Sequence, residues 1–190
     1  MLLWKEKLPE SWLPKVRARL GEVLVDHAHL ERKAATTALN LEKYQELHPH
    51  VRELNAIAIE ELQHFNQVLD LLKERGVPFG AAMRSPWISG MMGRIRKGRR
   101  EQAIDHLVVC SLIEGRSCEK FQILAEGVRD VDPGLADFYA SLVESEGNHY
   151  ATYLLMARGI DEGETQRRLR YFLEVDAELI RQEHGLPLLH

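Results

Sequence analysis

Cysteine is scarce in this sequence: Cys110 and Cys118 are the only two. Both fall on one predicted helix, about 12 Å apart along an axis that rises 1.5 Å per residue, too far for a disulfide. No CxxC pair occurs, which excludes thiolate zinc and rubredoxin-type sites and leaves two ordinary packed thiols. A continuous apolar run of about 18 residues, the minimum for a membrane span, is also missing. The opening "MLLWKEKLPESW" carries charges where a secretory leader needs its apolar stretch. A cytoplasmic protein without a membrane span is therefore expected. Strand-like alternation of any length is absent as well. With 45% hydrophobic residues, 190 residues are enough to fill one core, and a single domain over residues 1–190 is expected.

Acid is missing from one stretch. Residues 76–100, "GVPFGAAMRSPWISGMMGRIRKGRR", contain Arg84, Arg94, Arg96, Lys97, Arg99 and Arg100 but neither Asp nor Glu, in a chain whose net charge is -4. A basic island on an acidic body is a candidate phosphate-contacting surface, because neutralising phosphates releases counterions. The alternative is a solvated, mobile connection.

What fills the rest is helical periodicity. The first long helix is expected from near Pro14 to "ELHPH", with Ser11 as a cap and Leu20, Leu24, His27, Glu31, Ala34 and Ala38 along one stripe. A second, after Pro49, carries Leu54, Ile57, Glu61, His64, Val68 and Leu71 and stops at Gly76 and Pro78. A third, from about Arg99 to Gly127, has Ile104, Leu107, Ser111, Glu114, Cys118, Phe121 and Ala125. The fourth opens at Asp132 and Pro133 and presents Leu135, Phe138, Leu142, Glu146, His149, Tyr153 and Met156. A fifth segment, "ETQRRLRYFLEVDAELIRQEHG", is helical by period and is expected to pack on the outside, without ligands.

Among the polar residues in these stripes, six form two matching sets: Glu31 then Glu61 and His64, and Glu114 then Glu146 and His149. Within each Glu-x-x-His pair, three positions on a helix place both side chains on one face. The separation from Glu31 to Glu61 nearly equals that from Glu114 to Glu146, as for two antiparallel helices joined by a short turn. The longer interval from Glu61 to Glu114 leaves room for a crossover connection. The predicted architecture is all-α, a ferritin-like four-helix bundle with a long crossover between its second and third helices and an additional C-terminal helix; such bundles hold di-iron or di-manganese centres with this ligand set.

Four carboxylates facing one interior are prohibitively costly unless protonated or neutralised. Two divalent cations neutralise them. Two imidazoles among oxygen ligands suit iron or manganese better than calcium or magnesium, and iron is the expected metal. HExxH zinc chemistry is excluded, since "EELQH" has one histidine. His27, one turn before Glu31, reads as a packed group or a support to the ligands. His29, His106 and His184 read as surface or capping residues, Tyr150 and Tyr153 as core packing ahead of a redox-active role, Met91 and Met92 as a loop over a groove, and Trp87 as a candidate stacking surface.

The stretches "VDHAHLERKAATTALNL", "EELQHF", "LIEGRSCEKFQILAEG" and "FYASLVESEGNHYATYLLMA" resemble the tRNA 2-methylthio-N6-isopentenyladenosine hydroxylases, non-haem di-iron monooxygenases of ferritin-like fold. The resemblance covers about residues 12–183, and Leu112 to Phe121 is its most specific piece. It places metal ligands on Glu31, Glu61, His64, Glu114, Glu146 and His149, the set already reached from spacing. It implies hydroxylation of the isopentenyl side chain of a hypermodified adenosine beside the anticodon of a tRNA. Two iron ions, O₂, two electrons and an external reductase would serve that reaction, and Arg94, Arg96, Lys97, Arg99 and Arg100 would contact the tRNA. One departure stands out: "SEGNHY" replaces the expected "SEARHF"-like sequence at the last ligand pair, with Gly147, Asn148 and Tyr150 in the changed positions. Competing readings are another ferritin-like di-iron oxidase or hydroxylase with a different substrate, an iron-oxidising storage protein, and a metal-free helical RNA-binding module.

Overall fold

The structure is a computed structural model, and it describes residues 4–182 and 188–190. The expectation for His184 lies outside the described residues. Seven α-helices and a short 3-10 turn make up the described chain. α1 (Trp12–Arg17) leads into α2 (Leu20–Leu41), and the turn at Gln45–His50 joins α2 to α3 (Val51–Glu74). α4 (Pro86–Met92) lies within the connection to α5 (Arg99–Gly127), which is followed by α6 (Pro133–Ile160) and α7 (Glu162–Arg181). No strand occurs among the described residues, and none of their helices is long and apolar enough to cross a membrane.

Local chemistry sets most boundaries where the sequence placed them. Asp132 caps α6 by accepting a hydrogen bond from the Leu135 amide at 2.9 Å, with Pro133 in the first turn where its missing N–H loses nothing. α3 ends where Gly76 takes φ 63, a left-handed conformation that glycine adopts without a Cβ penalty. Three boundaries differ from expectation. α2 stops at Leu41, short of "ELHPH", whose residues form the separate 3-10 turn. The first helix is broken at Arg19, whose φ of -141 leaves α1 as a separate turn. The crossover is not all loop: Ser85 accepts from the Ile88 amide at 3.0 Å and starts α4. Gly90 lets α4 and α7 approach closely there, because a Cβ would stand 2.6 Å from the Leu179 side chain of α7 and force it to shift.

The strongest packing is within α2 and α3 and within α5 and α6, two hairpins facing each other. α7 packs on α5, α4 and α6, and contributes Phe172, Val175 and Leu179 to the core. That core is divided. One apolar cluster gathers Ala38, Leu54, Ala58, Leu107, Leu112, Tyr153 and Met156; the other gathers Leu24, Ala28, Val68, Phe121, Tyr139 and Leu142. The six polar intruders lie between them in all four long helices.

Candidate metal centre

α2 supplies Glu31, α3 supplies Glu61 and His64, α5 supplies Glu114, and α6 supplies Glu146 and His149; all six are buried. One donor atom each from Glu31, Glu61, His64 and Glu146 lies within 4.8 Å of the others, and the same holds for Glu61, Glu114 and His149. Glu61 belongs to both groups. His64 Nδ1 stands 3.7 Å from Glu31, 3.8 Å from Glu61 and 4.0 Å from Glu146.

The donor atoms themselves test whether cations fit. Glu61 Oε1, His64 Nδ1, Glu146 Oε1 and His149 Nδ1 are buried without a hydrogen-bond partner. His149 Nδ1 lies 2.8 Å from Glu61 Oε1, close enough for ionic attraction, yet the two are not aligned as a hydrogen bond. Leaving such an atom unsatisfied costs about 1–3 kcal/mol. Four of them converging on one layer constitute a set of lone pairs turned towards a shared centre, which a pair of divalent cations satisfies.

Proton affinities in the layer are displaced in the manner of a site lacking positive charge. Burial, then the charge of Glu61, pushes Glu114 up to about 8. Burial and the same carboxylates raise Glu146 well above its usual range, and burial with Glu31 raises Glu61. Glu31 goes the other way: burial would raise it, but His27, Glu61 and His64 together hold it low. Burial opposes charge on the imidazoles, yet Glu31 and Glu61 lift His64 to about 10, and Glu61 lifts His149 to about 9. Cations bound in this layer would therefore displace protons.

Further groups support the six. His27 Nε2 makes a short hydrogen bond to Glu31 Oε1, and its ring stacks on Tyr139 at 5.6 Å, so His27 supports Glu31 as its stripe position implied. His149 Nε2 donates to Glu60 Oε2 at 3.0 Å, which leaves Nδ1 to face the centre. Glu60 was not foreseen. It sits on the outer face of α3, where a glutamate is unremarkable by pattern.

A cavity of about 400 Å³ opens beside the layer, with Glu31, Glu61, Glu114 and Glu146 on its floor. Its walls are mostly apolar and include Leu30, Ala34, Ile88, Ile113, Phe121 and Tyr153. Tyr153 is core packing, as expected, and Met91 is fully buried while Met92 lines the cavity from a helix rather than a loop. One wall comes from an unforeseen direction: His190 is buried there, its Nε2 paired with Ser117 Oγ at 2.9 Å. Burial, then Lys120, keeps that imidazole well below its usual proton affinity. Only tertiary contact brings it in, through the Leu189 amide bonded to Asp26 at 2.9 Å and the Leu188 carbonyl accepting from Trp12 at 3.1 Å.

The basic stretch is largely engaged within the molecule. Arg96 binds Asp105 through its side chain at 2.8 Å and Glu164 at 2.7 Å, Arg94 reaches Glu178 at 3.1 Å, and Arg100 donates to the Ile160 carbonyl at 2.7 Å. Arg99 donates to Gln45 at 2.9 Å, and Lys97 has no carboxylate within salt-bridge range among the described residues. Trp87 is not a surface for stacking: it is buried, its N–H donates to Asp176 at 3.1 Å, and its ring stacks on His190. His29, expected near the surface, is also buried, its Nε2 bonded to the Gly80 carbonyl at 2.9 Å. His106 is half-buried against the Tyr44 hydroxyl at 2.5 Å.

Comparison with known proteins gives a consistent result. The family described as "tRNA-(MS[2]IO[6]A)-hydroxylase (MiaE)" matches residues 2–190. A protein of Pseudomonas putida named tRNA 2-(methylsulfanyl)-N(6)-isopentenyladenosine(37) hydroxylase is 37% identical over 175 residues, 91% of this chain and 84% of that protein. A protein of the same name from Salmonella typhimurium is 40% identical over 121 residues, 64% of this chain and 44% of its own length. Among solved structures, "Protein 43 with aldehyde deformylating oxygenase activity from Synechococcus" superimposes with a TM-score of 0.92 at 31% identity, covering 100% of this chain and 96% of that one. The fold is ferritin-like.

Proposed function

Because the chain belongs to the tRNA-(MS[2]IO[6]A)-hydroxylase family, we propose that it hydroxylates the isopentenyl side chain of 2-methylthio-N6-isopentenyladenosine in tRNA, using a pair of iron ions held by Glu31, Glu61, His64, Glu114, Glu146 and His149. The observation that carries this reading is the layer of unsatisfied buried donor atoms on the floor of an apolar cavity. A base with an apolar substituent fits such a cavity, and a cation pair fits such a layer.

The reaction balances as follows: a C–H bond of the side chain becomes C–O–H, the second oxygen atom of O₂ leaves as water, and two electrons and two protons are consumed. The electrons come from a separate reductase, in the cytoplasm where tRNA is processed. Bound iron would supply the two-electron reduction of O₂. The protein's own tasks are positional. Glu61, shared by both donor groups, ties them together; His27 and Glu60 fix the orientation of Glu31 and His149. Leu30, Ile113 and Phe121 keep water from the reacting carbon, which protects a reactive site from side reactions.

The test is nucleoside mass spectrometry of tRNA bearing the modified adenosine, treated with iron-loaded, reduced protein and O₂. One added oxygen on the isopentenyl group is the expected result. Unchanged nucleosides from protein that carries its full iron complement would overturn the reading.

A further inference from the structure

Two cations at the cavity mouth, unlike Arg94, Arg96 and Arg100 of the basic stretch, form no salt bridge with a carboxylate. Arg32 and Lys33 are exposed on α2, line the cavity, and have no acidic partner within salt-bridge range among the described residues. Beside them stands an aromatic stack. Phe79 is 42% exposed, its ring stacked on His29 at 4.5 Å and edge-on to Phe65 at 5.8 Å. The Arg32 guanidinium lies 5.8 Å from the Phe79 centroid and 6.0 Å from that of Phe65. The His29 bond to the Gly80 carbonyl pins this part of the connection against α2, so the stack is preorganised.

Unneutralised cations attract phosphate, and an exposed aromatic ring backed by a second ring accepts any base face. Sequence-specific RNA readers use this combination on loops whose bases are splayed out, not on duplexes. Resting on the hydroxylase reading, we propose that the anticodon-loop RNA docks on this face: Arg32 and Lys33 take phosphates, Phe79 takes a base neighbouring the one inserted into the cavity, and the Arg94–Arg100 stretch serves as an internal brace. Arg32 joins the two halves of the surface, since it touches both the cavity and the Phe79 ring.

The closing experiment measures binding of an anticodon stem-loop RNA carrying the modified adenosine to iron-loaded protein, across a range of salt. Arg32→Ala/Lys33→Ala is expected to weaken binding at least tenfold at low salt and to flatten the log-affinity against log-salt slope by about 1.4, that is 0.7 for each single-strand phosphate no longer neutralised. Phe79→Ala is expected to weaken binding about fivefold or more with the slope unchanged, and Phe79→Trp to restore it. The comparison variant is Lys97→Ala/Arg99→Ala/Arg100→Ala, with melting temperature and iron content recorded throughout. If this variant loses slope and affinity while the mouth variants keep both, the docking face is wrong and the hydroxylase reading stands. If wild-type protein neither binds the RNA nor alters its mass, docking face and hydroxylase reading fall together.

Discussion

Two buried charged clusters lie within this bundle, and they are built on opposite principles. At the junction of α4, α5 and α7, Asp105 is completely buried but receives Arg96 and Arg168, the latter at 2.7 Å. Further along α5 and α7, Asp176 is equally buried and receives Arg116 at 2.5 Å and the Trp87 indole at 3.1 Å. Every acid there meets a base of this chain. In the layer between the two apolar clusters, four carboxylates meet no arginine or lysine among the described residues but only the imidazoles of His27, His64 and His149, and four donor atoms have no hydrogen-bond partner. The first cluster is electrically complete and holds helices together. The second is complete only with positive charge from outside, which is what distinguishes a centre from a brace.

The largest expected effect breaks the second cluster at its shared member. Glu61→Gln removes the carboxylate common to both donor groups, so metal analysis should show iron falling far below two per chain, and hydroxylated nucleoside should drop to background. The metal-free variant should be no less stable than metal-free wild type, because burial and Glu31 already disfavour the Glu61 charge. Iron should raise the melting temperature of wild type, which binds it only when folded, and should not raise that of the variant. Retention of two tightly bound ions would show that the donor sets do not depend on Glu61.

Breaking the first cluster should have the reverse signature. Asp176→Asn leaves buried Arg116 with Glu119, at 2.6 Å, as its one remaining carboxylate, so the loss in denaturant unfolding should lie at the lower end of the buried-pair range, about 3 kcal/mol, while the fraction still folded keeps its iron. Replacing the pair together, Arg116→Met with Asp176→Leu, should recover most of that loss. Equal damage from the double replacement would mean that the pair orders the α5 and α7 interface rather than merely balancing charge.

The two clusters also differ in how visible they are in the sequence. Glutamate and histidine in the stripes of α2, α3, α5 and α6 stand out because helical period fixes which face they occupy, and that face is otherwise Leu, Ala, Val and Phe. Asp105 sits on α5, which is buried on several sides, so no polar face contrasts with an apolar one; Asp176 does interrupt the apolar stripe of α7, but the arginine partners of both come from distant segments. Arg96 looked like a free basic residue for the same reason: Asp105 and Glu164 reach it only after α5 and α7 pack. The break at Arg19 was invisible because apolar spacing runs through it from Val16 to Leu20, and α4 because seven residues are too few to show a period. His190 enters the cavity wall through contacts with Trp12, Asp26 and Ser117, none of which has a sequence signature.

A pH titration sharpens the comparison further. Burial would raise Asp105, but Arg96 and Arg168 overcome it and hold the carboxyl below its usual range. A depressed folded value means that its contribution to stability is fully present above about pH 4, the unfolded range for aspartate, and is lost as pH falls through the folded value. Asp105→Asn should therefore lower stability at neutral pH and flatten its decline below about pH 4. An acid limb identical to that of wild type would assign the decline to other carboxylates.

The smallest expected effect tests whether the centre depends on its outer supports. Glu60 holds His149 Nε2 at 3.0 Å and so directs Nδ1 inward, but its side chain is 45% exposed and water can replace part of the bond. Loss of such a support usually reduces metal affinity 10- to 100-fold, and exposure places Glu60→Ala near the lower end, about tenfold. Competition with a chelator should reveal the loss, and Glu60→Gln, whose amide oxygen accepts the same hydrogen bond, should recover most of it. Recovery by glutamine separates orientation from charge: a requirement for the negative charge of Glu60 would leave Gln as impaired as Ala. In that case Glu60 would belong with the electrically incomplete layer, and the boundary between centre and brace would lie one residue further out on α3.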